Sequence, residues 1–219
     1  MSNSEKVGGG EGRAASDVTL VLLAGGAGSR MGKKKDLVRV QGKGLVEWML
    51  GRMAWRGPTM LVGPADRSHV EGQERMDTVV HDLKGGEGPL RGLEAAMAGC
   101  RTDEMVVMPI DMPGLGARQV EWVVGRGREM RGAMCMMLRR QVREGGDSAG
   151  VQVEPFPMFC RKGFAGIVAR RLNAGQLSIR TFVEEEGVRV VNAPLEWEEW
   201  VWANLNMVED VARFEEGDR

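Results

Sequence analysis

Val18–Leu37 reads VTLVLLAGGAGSRMGKKKDL. Its first six residues, Val18 to Leu23, are apolar or β-branched without alternation. A half-buried strand would alternate, so this pattern predicts a strand covered on both faces in a parallel sheet. The strand runs directly into Gly25, Gly26, Gly28 and Gly32, interleaved with Ser29, Arg30, Lys33, Lys34 and Lys35. Glycine lets backbone N–H groups approach a ligand closely and adopt positive φ. Successive N–H groups form a concavity for anions, and lysines add full charge. The stretch therefore predicts a phosphate-binding loop at the carboxyl end of a first parallel strand, against the plainer alternative of a tight turn with a solvated lysine run.

Two familiar phosphate loops fail on spacing. A Walker loop needs G-x-x-x-x-G-K-[ST], but Ala27 stands where its first glycine belongs and Lys34 where Ser or Thr belongs. A dinucleotide fingerprint starts at Gly26 and Gly28 but meets Met31 instead of the third glycine. What remains is LAGGxGxRMGxxK. This resembles the signature of nucleotidyltransferases that activate sugars and cofactors with a nucleoside triphosphate. With AGG and RMG before the lysine, it looks most like the molybdenum cofactor guanylyltransferases.

Composition narrows the field independently. At 219 residues, one domain is expected from residue 17 onward; residues 1–16, MSNSEKVGGGEGRAAS, read as a disordered polar tail without a signal-peptide core. A formal net charge of −1 gives no bulk electrostatic case for nucleic acid or a membrane surface. Cys100, Cys135 and Cys160 are widely spaced and odd in number, predicting buried thiols in a reducing compartment, the cytoplasm. No apolar run reaches transmembrane length.

Along the chain, Leu45 to Trp55 has helical apolar spacing and ends at Gly57-Pro58. Thr59 to Val62, Thr78 to His81, Met105 to Ile110 and Ala133 to Leu138 read as strands. Ala65–Gln73, carrying His69, is expected as a short helix, and Ala117–Met130 as an amphipathic one. Both histidines, His69 and His81, read as structural. Arg139–Gly150 reads as a polar loop; Val151–Val153 and Met158–Cys160 flank Glu154-Pro155-Phe156-Pro157. Gly163–Leu172 and Ser178–Glu186 look helical, and Val188–Val191 is a last short strand. This alternation predicts an α/β fold, a three-layer sandwich with a mostly parallel Rossmann-like sheet; the resemblance makes it the nucleotide-diphospho-sugar transferase type.

Two acidic residues stand just past strands. Asp82 precedes a loop ending in Gly88-Pro89-Leu90-Arg91-Gly92, where proline suits the first turn of a helix and glycine an abrupt turn into it. Asp111 follows the apolar run 105–110 directly, a place suited to holding Mg²⁺ against substrate phosphates or to capping the next helix.

The resemblance assigns roles to these positions. It implies transfer of GMP from GTP to molybdopterin phosphate, with pyrophosphate leaving and Mg²⁺ as cofactor. Lys35, Arg30 and Asp111 would be catalytic, with Asp111 the metal ligand. Leu23, Ala24, Gly25, Gly26, Lys35, Asp82, Pro89, Asn204 and Asn206 would contact the substrates, the two asparagines sharing one side of an extended segment. GTP and molybdopterin are the implied partners, with a molybdoenzyme or chaperone beyond them. The chain departs from the family pattern at Lys34, Gly63, Leu177, Met207 and Val208. A related transferase using CTP or a sugar phosphate, or a degenerate nucleotide-binding adaptor, remains as an alternative.

Overall fold

The computed structural model describes residues 17–24, 38–82, 84, 88–142, 150–206 and 208–217. The expected tail, most of the glycine loop and Met207 lie outside them.

The unalternating run at the start is strand β1, Val18–Leu23, and all six residues are buried. A small hairpin follows, β2 (Arg39–Val40) with β3 (Lys43–Gly44), leading into helix α1, Leu45–Met53. Strand β4 is Thr59–Gly63 and β5 is Thr78–His81. Helix α2, Pro89–Gly99, precedes strand β6, Glu104–Pro109, and helix α3 is Ala117–Glu129. Strands β7 (Cys135–Val142) and β8 (Gly150–Arg161) lead to helix α4, Ala165–Asn173. Strand β9, Val188–Asn192, and helix α5, Val208–Gly217, close the chain.

One sheet of seven strands in the order β5-β4-β1-β6-β8-β7-β9 organises these elements. β1 pairs in parallel with β4 and β6, β4 with β5, and β7 with β9. Only β8 runs against the rest, pairing antiparallel with β6 and β7. α2 contacts α4, and α1 contacts α3, so helices cover two faces of the sheet. The expected three-layer, mostly parallel α/β architecture is what forms. Methionine fills much of the interior: Met49, Met60, Met97, Met105, Met108, Met136, Met137 and Met158 are all buried, an unbranched side chain suited to irregular gaps.

The elements follow local chemistry. Gly88, at φ 72°, turns the chain into α2 with Pro89 in the first turn, the sequence's own punctuation. α1 ends at Met53, where Ala54 takes a left-handed conformation and its N–H closes on Leu50 O.

Several expectations need correction. Ala65–Gln73 forms turns rather than a helix; only Gln73–Arg75 makes one 3₁₀ turn, and His69 lies exposed. The Gly63-Pro64 exit and Asp66, whose Oδ1 accepts the Ser68 N–H at 2.9 Å, hold the segment in turn geometry. Ser178–Glu186 likewise yields only the 3₁₀ segment Arg180–Glu184. The loop expected at Arg139–Gly150 is shorter, because β7 runs on to Val142 and β8 begins at Gly150; residues 143–149 are outside the described set. The two short pieces around Pro155 and Pro157 are one strand, β8. The register between β7 and β8 shifts between Met136 and Leu138, and this irregularity accommodates prolines that cannot donate to a ladder.

Candidate active site

The candidate residues emerge from one edge of the sheet. Leu23 is in register with Val62 on one side and Pro109 on the other, and Gly63 with His81. The carboxyl ends of β1, β4, β5 and β6 are therefore flush. Backbone bonds carry the alignment past the strands: Ala24 N–H to Val62 O at 2.9 Å, Ile110 N–H to Leu23 O at 3.0 Å, and Asp82 N–H to Gly63 O at 3.0 Å. Leu23 and Ala24 are thus held by the sheet, and they fix where the glycine loop departs. Gly25, Gly26, Arg30 and Lys35 themselves lie outside the described residues.

On the β5 flank, Asp82 is 8% exposed, and its Oδ1 accepts the Lys84 N–H at 3.0 Å. That bond orients the carboxyl group, and Pro89, in the first turn of α2, is half-buried. His81 covers Gly63: a Cβ added to Gly63 would stand 3.0 Å from His81 Nδ1. The imidazole Nδ1 lies 3.1 Å from Pro64 O, so this nitrogen carries the proton and donates to the carbonyl. His81 is structural in this sense, as expected, but it also occupies the space over a position where the family pattern differs.

On the β6 flank, Asp111 follows Ile110 in a turn that the C-terminal segment holds from outside. Leu205 N–H donates to Asp111 O at 2.8 Å, and Trp48 Nε1–H donates to Pro113 O at 3.0 Å. Leu205 is buried at 1% exposure while Asn204 and Asn206 are exposed. Asn204 Nδ2 donates to Trp202 O at 3.2 Å, and the Asn206 N–H donates to Asp210 Oδ2 at 2.8 Å. Asp210 thereby anchors the approach to α5.

Spacing separates the two acids. β5 and β6 are three places apart in the sheet, with β4 and β1 between them. At about 4.8 Å per strand, Asp82 and Asp111 stand roughly 14 Å apart along the edge and cannot share one ion. Among the described residues no group of three or more His, Cys, Asp or Glu could hold a metal. One carboxylate at a strand end fits Mg²⁺, which keeps several waters and uses one or two carboxylates plus substrate phosphates.

Residues 20–193 fit the MobA-like NTP transferase domain family. The chain belongs to that family. As a member it is a nucleotidyltransferase. It is 31% identical over 211 residues to a probable molybdenum cofactor guanylyltransferase of Opitutus terrae, covering 90% of this chain and 94% of that one. A molybdenum cofactor guanylyltransferase of Vibrio cholerae is 33% identical over 99 residues, 45% of this chain and about half, 48%, of that protein. Among solved structures, molybdopterin-guanine dinucleotide biosynthesis protein A from Archaeoglobus fulgidus has 26% identity and a TM-score of 0.66, with 90% and 97% of the two chains covered.

For this MobA-like domain, sequence reasoning passed over His81 as a neighbour of Gly63 and the tryptophans of LEWEEWVW, 195–202. The first depends on register between strands. The second had a visible signal, three tryptophans within six residues, without a motif to interpret it.

Proposed function

We propose that this nucleotidyltransferase moves GMP from GTP to the phosphate of molybdopterin, releasing pyrophosphate, with Mg²⁺ held at Asp111. One observation supports this above others: the exit of β1 at Ala24, the turn at Asp111 and the Asn204–Asn206 segment meet on one edge, joined by the Ile110–Leu23 and Leu205–Asp111 backbone bonds. The three strand spacings between Asp82 and Asp111, roughly 14 Å, suit a nucleotide laid along that edge, nucleoside toward Asp82 and Pro89, triphosphate toward Asp111.

The chemistry requires little from side chains beyond position and charge. An oxygen of the acceptor phosphate forms a bond to the α-phosphorus of GTP. The bond from that phosphorus to the bridging oxygen of the β-phosphate breaks, and pyrophosphate leaves with the electron pair. A phosphomonoester with second pKa near about 6 is largely dianionic at neutral pH, so no general base is needed. Lys35 and Arg30 neutralise charge on the phosphates as it shifts to the leaving group. Mg²⁺, when bound, withdraws charge from the phosphate oxygens as a Lewis acid. Asn204 and Asn206 face outward to orient the acceptor. The three buried thiols, Cys100, Cys135 and Cys160, suit a reducing cytoplasm, where the product would pass to a molybdoenzyme or its chaperone.

Incubation with GTP labelled at the α-phosphorus, Mg²⁺ and molybdopterin tests this directly. Label should enter the dinucleotide, and kcat/KM should fall about 10²–10³-fold in Asp111→Asn and in Lys35→Ala with folding intact. No GMP transfer by the wild type, or full activity in Asp111→Asn, overturns the proposal.

A further inference from the structure

The other flank of the same edge carries a cavity of about 220 Å³. It is lined by Arg140 from β7, by Leu195, Trp197, Glu198 and Glu199 from the segment after β9, and by Trp202. β7 and β9 run in the same sense as β6, and Ala193 N–H donates to Arg139 O at 2.8 Å, so the cavity opens at the carboxyl edge. β7 lies two places beyond β6, on the side away from β4 and β5. Only two residues, Ala203 and Asn204, lie between Trp202 and Leu205, whose N–H reaches Asp111. Three steps of extended chain, at about 3.3–3.6 Å each, reach at most about 11 Å.

The walls specify the ligand's chemistry. Trp197 and Trp202 are 7% and 6% exposed, with ring centroids 5.5 Å apart, and give the cavity flat apolar walls. The Arg140 guanidinium lies 5.7 Å from the Trp202 ring centroid, and its charge is already met by Glu154 at 2.8 Å and Glu199 at 2.9 Å. Glu198 adds a further carboxylate, one of whose oxygens accepts the Trp200 indole N–H at 2.7 Å. Among the described residues, carboxylates thus outnumber cations here. A phosphate would be repelled, whereas a flat heteroaromatic ring with an N–H donor edge would stack on indole and give hydrogen bonds to the carboxylates. Drug-sized ligands need about 300–1,000 Å³, so this cavity suits one small ring system.

We infer that this cavity binds the pterin end of the acceptor, its 2-amino-pyrimidinone edge donating to Glu198 and Glu199. The inference rests on the guanylyl-transfer reading for the identity of the acceptor. It leaves the acceptor's phosphate directed along the edge toward Asp111.

Pterin titrated into the full-length protein should quench tryptophan fluorescence. In the double variant Glu198→Gln, Glu199→Gln, whose substituted side chains are exposed, the pterin Kd should rise about tenfold or more while the GTP Kd stays unchanged. Leu195→Trp, narrowing the mouth at a residue 68% exposed, should have the same selective effect. Absence of quenching in the wild type, unchanged pterin affinity in both variants, or a parallel loss of GTP affinity overturns the inference; the last would make this the guanine pocket. Pterin quenching lost in the variants, with no GMP transfer by the wild type, sinks the transfer reaction and leaves the pterin site standing.

Discussion

Gly114 sits where no side chain fits: a Cβ would stand 2.3 Å from Trp200 O and 2.8 Å from Val201 Cα. Both contacts are backbone, so relief requires moving the chain that carries Asn204 and Asn206. Gly114→Ala should cost about 1–3 kcal/mol, read as a lower urea midpoint with unchanged slope. Gly63 is a softer case, since its neighbour is an imidazole. Gly63→Asn should displace His81 from Pro64 O, and combining it with His81→Ala should recover part of the lost stability. Additive effects in that double-mutant cycle would refute contact between the two sites. At this scale the sequence was legible where a residue acts through its own backbone, as at Gly88 and Pro89. His81 over Gly63 was not, because the pair meets only through the Gly63–His81 register of β4 and β5.

Between elements, one ion-pair cluster titrates in a useful range. Glu185, after the 3₁₀ segment, is bonded by Arg171 of α4 at 2.9 Å and by Arg170. The Arg171 hydrogen bond holds the Glu185 carboxyl below its ordinary 4.5, despite partial burial that pushes the other way. A carboxyl whose pKa is lower in the folded state stabilises above the unfolded value, and that stability is lost as pH falls through the folded one. Wild type should therefore lose its advantage over Glu185→Gln as pH drops below about 4.5, and keep it at pH 6–7, in paired thermal melts. Strands buried on both faces were readable as elements because their apolar runs are continuous. β8 was not, because its prolines read as breaks, and only the offset pairing with β7 absorbs them. The 65–73 segment had helical composition but no apolar face to bury, so turn chemistry prevailed.

Across the whole molecule, the first and last parts of the site are joined late in the chain. Leu205 lies beside the turn at Asp111, and Phe214 of α5 packs edge-on to Trp48 and Trp200 at 6.4 Å each. Leu205→Ala should cost about 2–5 kcal/mol in chemical denaturation. Where folding survives, it should raise KM for the acceptor more than KM for GTP. The placing of Ala24, Asp82 and Asp111 at strand ends on one edge followed from strand–helix alternation, whereas the order β5-β4-β1-β6-β8-β7-β9 is set by pairings between distant segments that no local pattern encodes. The β7–β9 cavity did not follow either, since it depends on β8 reversing direction.

The buried methionines give this protein a built-in set of spectroscopic beacons. Met60 sits on β4, Met105 and Met108 on β6, Met136 and Met137 on β7, Met158 on β8, and Met97 on α2. Carbon-13 labelling of their terminal methyls would illuminate the interior from one end of the sheet toward the other, without altering a single residue. Nucleotide added alone should perturb signals near β4 and β6, and a pterin those near β7, so that crosstalk between the two halves becomes visible in one spectrum.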